Sequence, residues 1–181
     1  MVTARHNEAR DLNCDVCNLA GLHQIISESV LQEASDNQPG LRADWKVRGF
    51  WDAQRDALFD ICILNADASS LEKQNLQAIF DTRKKIKKEK YGPLAELIRA
   101  SFTPIIATCE AIFDKEAEVY MKRLVTLLSK KWKSNYLRAV CYIQARMQIC
   151  IHRSVSLCIR GSHTKWKGVG TVDSAAIPLM F

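Results

Sequence analysis

The chain has 181 residues, 48% hydrophobic and 25% charged, which is enough for one domain with a real core and ordinary for a soluble globular protein. No apolar run is long enough to span a bilayer and the N-terminus lacks a signal-peptide pattern, which argues against membrane and secreted classes; seven cysteines, an odd number scattered along the chain, read as free, mostly buried thiols in a reducing intracellular compartment. The net charge of +6 hides an asymmetry: residues 1–80 carry 7 Lys/Arg against 12 Asp/Glu and residues 81–181 carry 19 against 8, a basic second part that suits either a polyanion-binding surface or an ordinary Lys-rich helical surface.

Leu12, Val16, Leu19 and Ala20 recur at helical spacing and predict a first helix over Asn7–His23. Cys14 and Cys17 lie in it, and His6 and His23 flank it. One helix cannot easily close four ligands around zinc, and half-buried thiols on a helix face are the commoner outcome. Ile25–Leu31 reads as a short edge strand carrying Glu28, and Ala34–Gly40 as a loop. In Leu41–Val47 the side chains alternate, with Leu41, Ala43, Trp45 and Val47 on one side and Arg42, Asp44 and Lys46 on the other. Phe50 and Trp51, in the loop Arg48–Asp56, are expected to fold back onto the core. Leu58–Leu64 is apolar on both faces except for Asp60, the pattern of a central strand covered on both sides.

Asp67–Ser70 reads as a helix start, with Ser69 or Ser70 as N-cap. The helix runs to about Lys90, with Leu71, Leu76, Ile79 and Phe80 inward. Six of the eight residues Arg83–Lys90 are basic; the helix macrodipole favours part of that run, and its density invites phosphate contacts. Gly92-Pro93 is expected to break or bend the chain. Ala100–Cys109 reads as a strand that begins at or just after Pro104. Two helices follow. The first carries Phe113, Ala117, Tyr120, Leu124, Leu127 and Leu128 inward. The second, Asn135–Ile159, carries Tyr136, Val140, Ile143, Met147, Cys150, Ile151, Ser154 and Cys158 inward. Arg146, Arg153 and Arg160 share a flank of it, either a solvated face or a nucleic-acid-facing ridge. From Gly161 onward the chain reads as a loose tail. The sum is an α/β (α+β) domain over residues 1–162, a central mixed sheet of about four strands with a long C-terminal helical pair, and a tail over 163–181.

There is no Gly-rich phosphate loop, nucleophile elbow or metalloprotease helix motif. Cys62 or Cys109 with His152 as base is disfavoured, because apolar strands raise a thiol pKa. Glu28, Asp44 and Asp60 remain, on consecutive strand-like segments, followed by a Lys/Tyr-rich helix. An acid inside an apolar strand is costly unless a cation or donor meets it. Asp60 is therefore either a carboxylate satisfied by protein groups or a Mg²⁺ ligand shared with Asp44. A metal there could activate water and stabilise phosphate charge, with a lysine assisting.

The order helix, Glu strand, Asp strand, Asp strand, helix, strand, helix resembles the restriction-endonuclease-like fold of the PD-(D/E)xK nucleases. The strand lysine of that motif is absent at Asp60-Ile61-Cys62. The resemblance implies a lysine migrated to the next helix, and Lys88, in Lys88-x-x-Tyr91, is the candidate, with Lys84 and Lys87 as neighbours. A closer resemblance rests on ARHNEARDL at Ala4–Leu12, LRADWKVRGFW at Leu41–Trp51, FDICILN at Phe59–Asn65, KKEKY at Lys87–Tyr91, ASFTPII at Ala100–Ile106, YMKRLVTLLSKKW at Tyr120–Trp132 and RSVSLCIRGS at Arg153–Ser162. In that order these look like the C-terminal region that follows the reverse transcriptase in a group of retroelement polyproteins of animals, and they imply a retroelement origin. Three features depart from that family. The polymerase and Cys/His-rich segment are not upstream, Cys62 stands where relatives tend to have Arg, and Cys109-Glu110-Ala111 stands where they tend to have a Gly-Gly turn.

Two functions are expected to compete. One is a Mg²⁺-dependent DNA endonuclease module for element insertion. Asp44 and Asp60 hold the metal, Glu28 assists, Lys88 contacts the scissile phosphate, and Lys84, Lys87, Lys88, Arg146 and Arg153 bind the polynucleotide. The other is a non-catalytic module that binds nucleic acid or a reverse transcriptase domain, or an inactive remnant. The protein is expected inside the cell, with the nucleus one candidate location, and neither function involves a membrane.

Overall fold

The computed structural model describes residues 2–34, 39–71 and 74–162; the tail expected over 163–181 lies outside the described residues. Eight elements follow in chain order: α1 (Val2–Leu19), β1 (Ile25–Gln32), β2 (Leu41–Arg48), β3 (Asp56–Leu64), α2 (Leu76–Leu97), β4 (Ser101–Thr108), α3 (Lys115–Trp132) and α4 (Tyr136–Ser162). The strands form one sheet in the order β1-β2-β3-β4. β1, β2 and β3 are antiparallel neighbours, and β3 pairs β4 in parallel. The β3–β4 crossover passes through α2, the connection a parallel pair requires. The mixed α/β fold read from the sequence is the one found, with β1 at an edge, β3 inside the sheet and two long helices at the C-terminal end.

The two faces of the sheet are filled differently. α1, α3 and α4 cover one face with a large core that includes Val16, Trp45, Phe50, Phe59, Tyr120, Leu124, Leu128 and Ile143, all fully buried, and a small cluster of Ala107, Ala111 and Ile151 adjoins it. Trp45 stacks on Phe59 with ring centroids 5.2 Å apart, and Phe50 stacks on Tyr120 at 5.0 Å. The loop pair Phe50-Trp51 does fold back as expected, Phe50 completely and Trp51 in part. α2 covers the other face, where the apolar contacts fall into two smaller clusters. Leu58 meets Ala43, Ala95 and Ala100, and Leu64 meets Ile79, Phe80 and Ile106.

Several boundaries differ from expectation. α2 begins at Leu76, not near Ser70, because Asn75 caps it by accepting the Gln77 N–H at 2.9 Å. It also runs through Gly92-Pro93 to Leu97. Pro93 and Glu89 are both exposed, so solvent can take the carbonyl that Pro93 leaves without a donor. β4 starts at Ser101, and Pro104 lies inside it opposite Asp60; β4 is an edge strand, where a missing N–H is tolerated. α1 is shifted toward the N-terminus, leaving Leu19 39% exposed, and Tyr136 on α4 is exposed instead of inward. The thiols are also less buried than expected: Cys17 and Cys150 are buried, Cys14 is intermediate and Cys141 is exposed.

Candidate functional site

Strand register places the three acids in one row. Ser27↔Trp45 and Ser29↔Ala43 bracket Glu28 opposite Asp44, and the β2–β3 ladder, which ends at Trp45↔Phe59, points Asp44 at Asp60. The ladder stops at this row. Where the next β2–β3 pair would form, Asp44 Oδ2 accepts the Ile61 N–H at 2.6 Å. Glu28 has a left-handed backbone (φ 50°). β2 stays paired with β1 as far as Leu41 while β3 continues with β4, so the sheet forks at Asp44 and Asp60. Like charges on directly opposed strand positions repel, so this row needs compensation.

Each acid is met by a base. From α1, His6 Nε2 lies 2.8 Å from Asp44 Oδ1 and Arg10 pairs with Glu28. These two bases are four residues apart and so share a helix face. From α2, Lys87 Nζ lies 2.5 Å from Asp60 Oδ2. The contact is an ion pair with poor hydrogen-bond angles, and Asp60 Oδ2 is otherwise a buried oxygen without a donor. Tyr91, one turn beyond Lys87, donates its hydroxyl to the Arg42 carbonyl at 3.1 Å beside the same carboxylate.

Burial pushes the Asp60 carboxyl above the usual aspartate range and the neighbouring Asp44 adds to the rise, while Lys87 and Tyr91 oppose it. The hydrogen bond to Asp44 raises His6 despite partial burial. Burial, then Asp60, raises the Tyr91 phenol. Asp60 is thus a carboxylate whose charge is costly in the folded state and offset chiefly by Lys87.

The residues singled out from the sequence separate into two groups. Asp44 and Asp60 converge at the fork. Glu28 lies in the row, but its side chain is about half exposed and turned to Arg10. Lys88 points away from the carboxylates and pairs with Glu116 at 2.6 Å, and Lys84 pairs with Asp114 and Asp81, each at 3.3 Å. These two lysines tie α2 to the first turn of α3. Arg153 pairs with Glu8 at 3.1 Å, and Arg146 stacks over Tyr142. Both line an open groove of about 670 Å³ between α1 and α4, whose other wall carries Glu8, Asp11 and Asp15. Cys17 is spent in the core, where its thiol meets the Tyr120 hydroxyl at 3.5 Å and burial pushes its pKa up to about 12. Burial likewise raises Cys14 to about 11.

His6 and Arg10 are the members that sequence reasoning did not place at the site, and Lys87 was expected there only as a neighbour of Lys88 and a polynucleotide contact, not as the partner of Asp60. A signal for Lys87 was present. Seven and eleven residues after the buried Phe80, helical periodicity returns to the same face at Lys87 and Tyr91, while Lys88 falls about 80° away. Nothing local in the sequence marks His6 or Arg10, because their partners lie on other strands.

Among the described residues no group of three or more His, Cys, Asp or Glu side chains gathers as a metal site. The donors at the fork are two carboxylates on adjacent strands. Mg²⁺ is commonly held by one or two carboxylates, with water and substrate phosphate completing its shell. The under-bonded Asp60 Oδ2, now countered by an ammonium, fits that requirement. No protein-family model matches this chain, and no curated protein matches it.

Proposed function

We propose that this chain is a retroelement-derived, nuclease-like module that cleaves a phosphodiester of DNA with the help of a divalent metal. The observation that carries the reading is the fork, where two carboxylates and the Lys87 ammonium converge at one opening of the sheet. A row of acids across neighbouring strands costs stability, and a hard cation is the ligand that would use it. The reading draws on the element order, which resembles the restriction-endonuclease-like fold, and on the sequence segments that resemble the retroelement region.

In this reading Asp44 and Asp60 hold Mg²⁺, and Lys87 takes the role expected of Lys88. When bound, the metal supplies a water of lowered pKa and charge stabilisation on phosphate. Asp44 is held in orientation by the Ile61 N–H and His6. Lys87 is close enough to exchange its Asp60 contact for a phosphate oxygen and steady the developing charge. Tyr91 ties α2 to β2 beside the fork through its hydrogen bond to the Arg42 carbonyl.

A second reading, a nucleic-acid-binding module without catalysis, is favoured by one fact: every acid of the row already has a basic partner within the protein. A plasmid-nicking assay on the purified chain separates the two. Catalysis requires Mg²⁺ or Mn²⁺ dependence, loss in Asp60→Asn and in Asp44→Asn, and a large drop in Lys87→Ala with a smaller one in Lys88→Ala. Absence of nicking, together with no Mg²⁺-dependent shift in melting, would leave the binding module.

A further inference from the structure

We propose that Arg48, Arg55 and Arg99 form a second site, which takes one backbone phosphate of the same polynucleotide several nucleotides from the fork. The inference rests on the reading above only for the identity of the polymer. The three arginines come from the end of β2, the β2–β3 loop and the α2–β4 turn, and they line a recess of about 470 Å³ together with Gln54, Asp56 and Ile98. Lys46 adjoins them through Asp56. One carboxylate stands among these four cations, and Asp56 is already shared between two of them, Lys46 at 3.4 Å and Arg48 at 3.2 Å. Among the described residues neither Arg55 nor Arg99 meets a carboxylate; instead Arg55 Nε donates to the Arg99 carbonyl at 3.2 Å.

The cluster has a local cost. Arg99 follows the C-terminus of α2 with a left-handed backbone (φ 54°), and Ala100 N–H closes on the Ala95 carbonyl at 2.8 Å. Glycine is the residue that suits this position. The helix dipole accounts for one cation at a helix end, but not for arginines delivered there from two other segments. An arginine fork is well matched to phosphate oxygens.

The two places are separated by a length that one polynucleotide strand can span, with the buried Leu58 and the end of α2 between them. Asp56, at the recess, and Asp60, at the fork, are four residues apart on β3, a rise of about 13 Å. That equals about four steps along one strand of duplex DNA. α2 brings Lys87 to the fork, and the turn that follows its C-terminus brings Arg99 to the recess.

The test is fluorescence anisotropy of labelled duplex DNA bound to the whole chain in EDTA, over a salt series. Binding in EDTA is independent of cleavage. The double variant Arg55→Ala/Arg99→Ala is expected to weaken binding to all sequences alike and to lower the slope of log affinity against log salt by about 0.9, the value for one phosphate. Arg55→Lys/Arg99→Lys should restore most of the slope. Lys122→Ala/Arg138→Ala, which removes two exposed charges on α3 and α4, should leave it unchanged. Both replaced arginines are exposed, and circular dichroism confirms folding before binding is measured. An unchanged slope in the alanine pair, an equal loss in the α3/α4 control, or no duplex binding by the parent chain overturns the proposal. A lowered slope in a chain that never nicks DNA keeps this site and ends the nuclease reading. Nicking by the parent with an unchanged slope in the alanine pair does the reverse.

Discussion

The two faces of the sheet put the same strand to opposite uses. On the face toward α1, α3 and α4, β3 presents Phe59 to an aromatic cluster of Trp45, Phe50 and Tyr120. On the face toward α2 it presents Leu58 to three alanines and, one pleat further, Asp60 to Lys87. The first face is continuous and apolar, and the second is interrupted by charge at the fork. A domain needs only one large core to fold; the smaller face is where an expensive group can be carried, provided that core offsets it.

The largest expected effect tests that division directly. Phe59→Ala removes a ring that contacts three other aromatic rings and should cost about 3–5 kcal/mol, read from the urea midpoint; Leu58→Ala, among small neighbours, should cost nearer about 2 kcal/mol. Equal losses would erase the contrast between the faces. Two buried acids then sharpen it. Asp114 caps α3 by accepting the Ala117 N–H at 3.0 Å and the Glu116 N–H at 3.3 Å, and it also meets Lys84. Asp114→Ala should therefore destabilise by about 1–2 kcal/mol.

Asp60→Asn should do the opposite and raise Tm by a few degrees at neutral pH. A carboxyl raised in the folded state makes that state bind more protons than the unfolded chain, so stability falls as pH rises through the interval between the two values. The variant escapes this loss. Its advantage should be full above the raised value and vanish below the ordinary aspartate value of 3.8, as melting curves across pH would show. A lower Tm at neutral pH would mean that Lys87 more than offsets the burial cost.

The smallest effect is expected at His6, which is about one-third exposed. Its pKa is raised by Asp44, so the charged pair stabilises the fold fully below the ordinary histidine value of 6.5 and ceases to do so as pH rises through the raised value. His6→Gln should therefore lower Tm in acid and matter little in base. A pH-independent loss would mean that His6 acts by packing alone.

Much of this was legible in the sequence. Period-2 alternation in Leu41–Val47 and the apolar run Leu58–Leu64 locate β2 and β3, because a pleated strand shows each face every second residue, although Ala43, expected beside Trp45 and Val47, packs instead with Leu58 and Ala95 where the sheet forks. The apolar run also marks β3 as an inner strand, and Asp60 stands out within it as a buried acid. Helix ends were less legible. Ser70 and Asn75 are both good caps, and only the packing of Leu76, Ile79 and Phe80 against Leu64 and Ile106 selects the second.

The composition and periodicity of this chain determined a mixed α/β domain with acids on successive strands and a basic helix after them, since burial patterns repeat locally along the backbone. Only the tertiary structure decided which base meets which acid. The row Glu28, Asp44 and Asp60 depends on strand register, and its partners Arg10, His6 and Lys87 arrive on two helices from opposite sides of it in sequence. The choice of Lys87 over Lys88 turns on a rotation of one residue about a helix axis, about 100°, which puts one ammonium at the fork and the other on Glu116. Such contacts join residues far apart in the chain, and no local pattern encodes them.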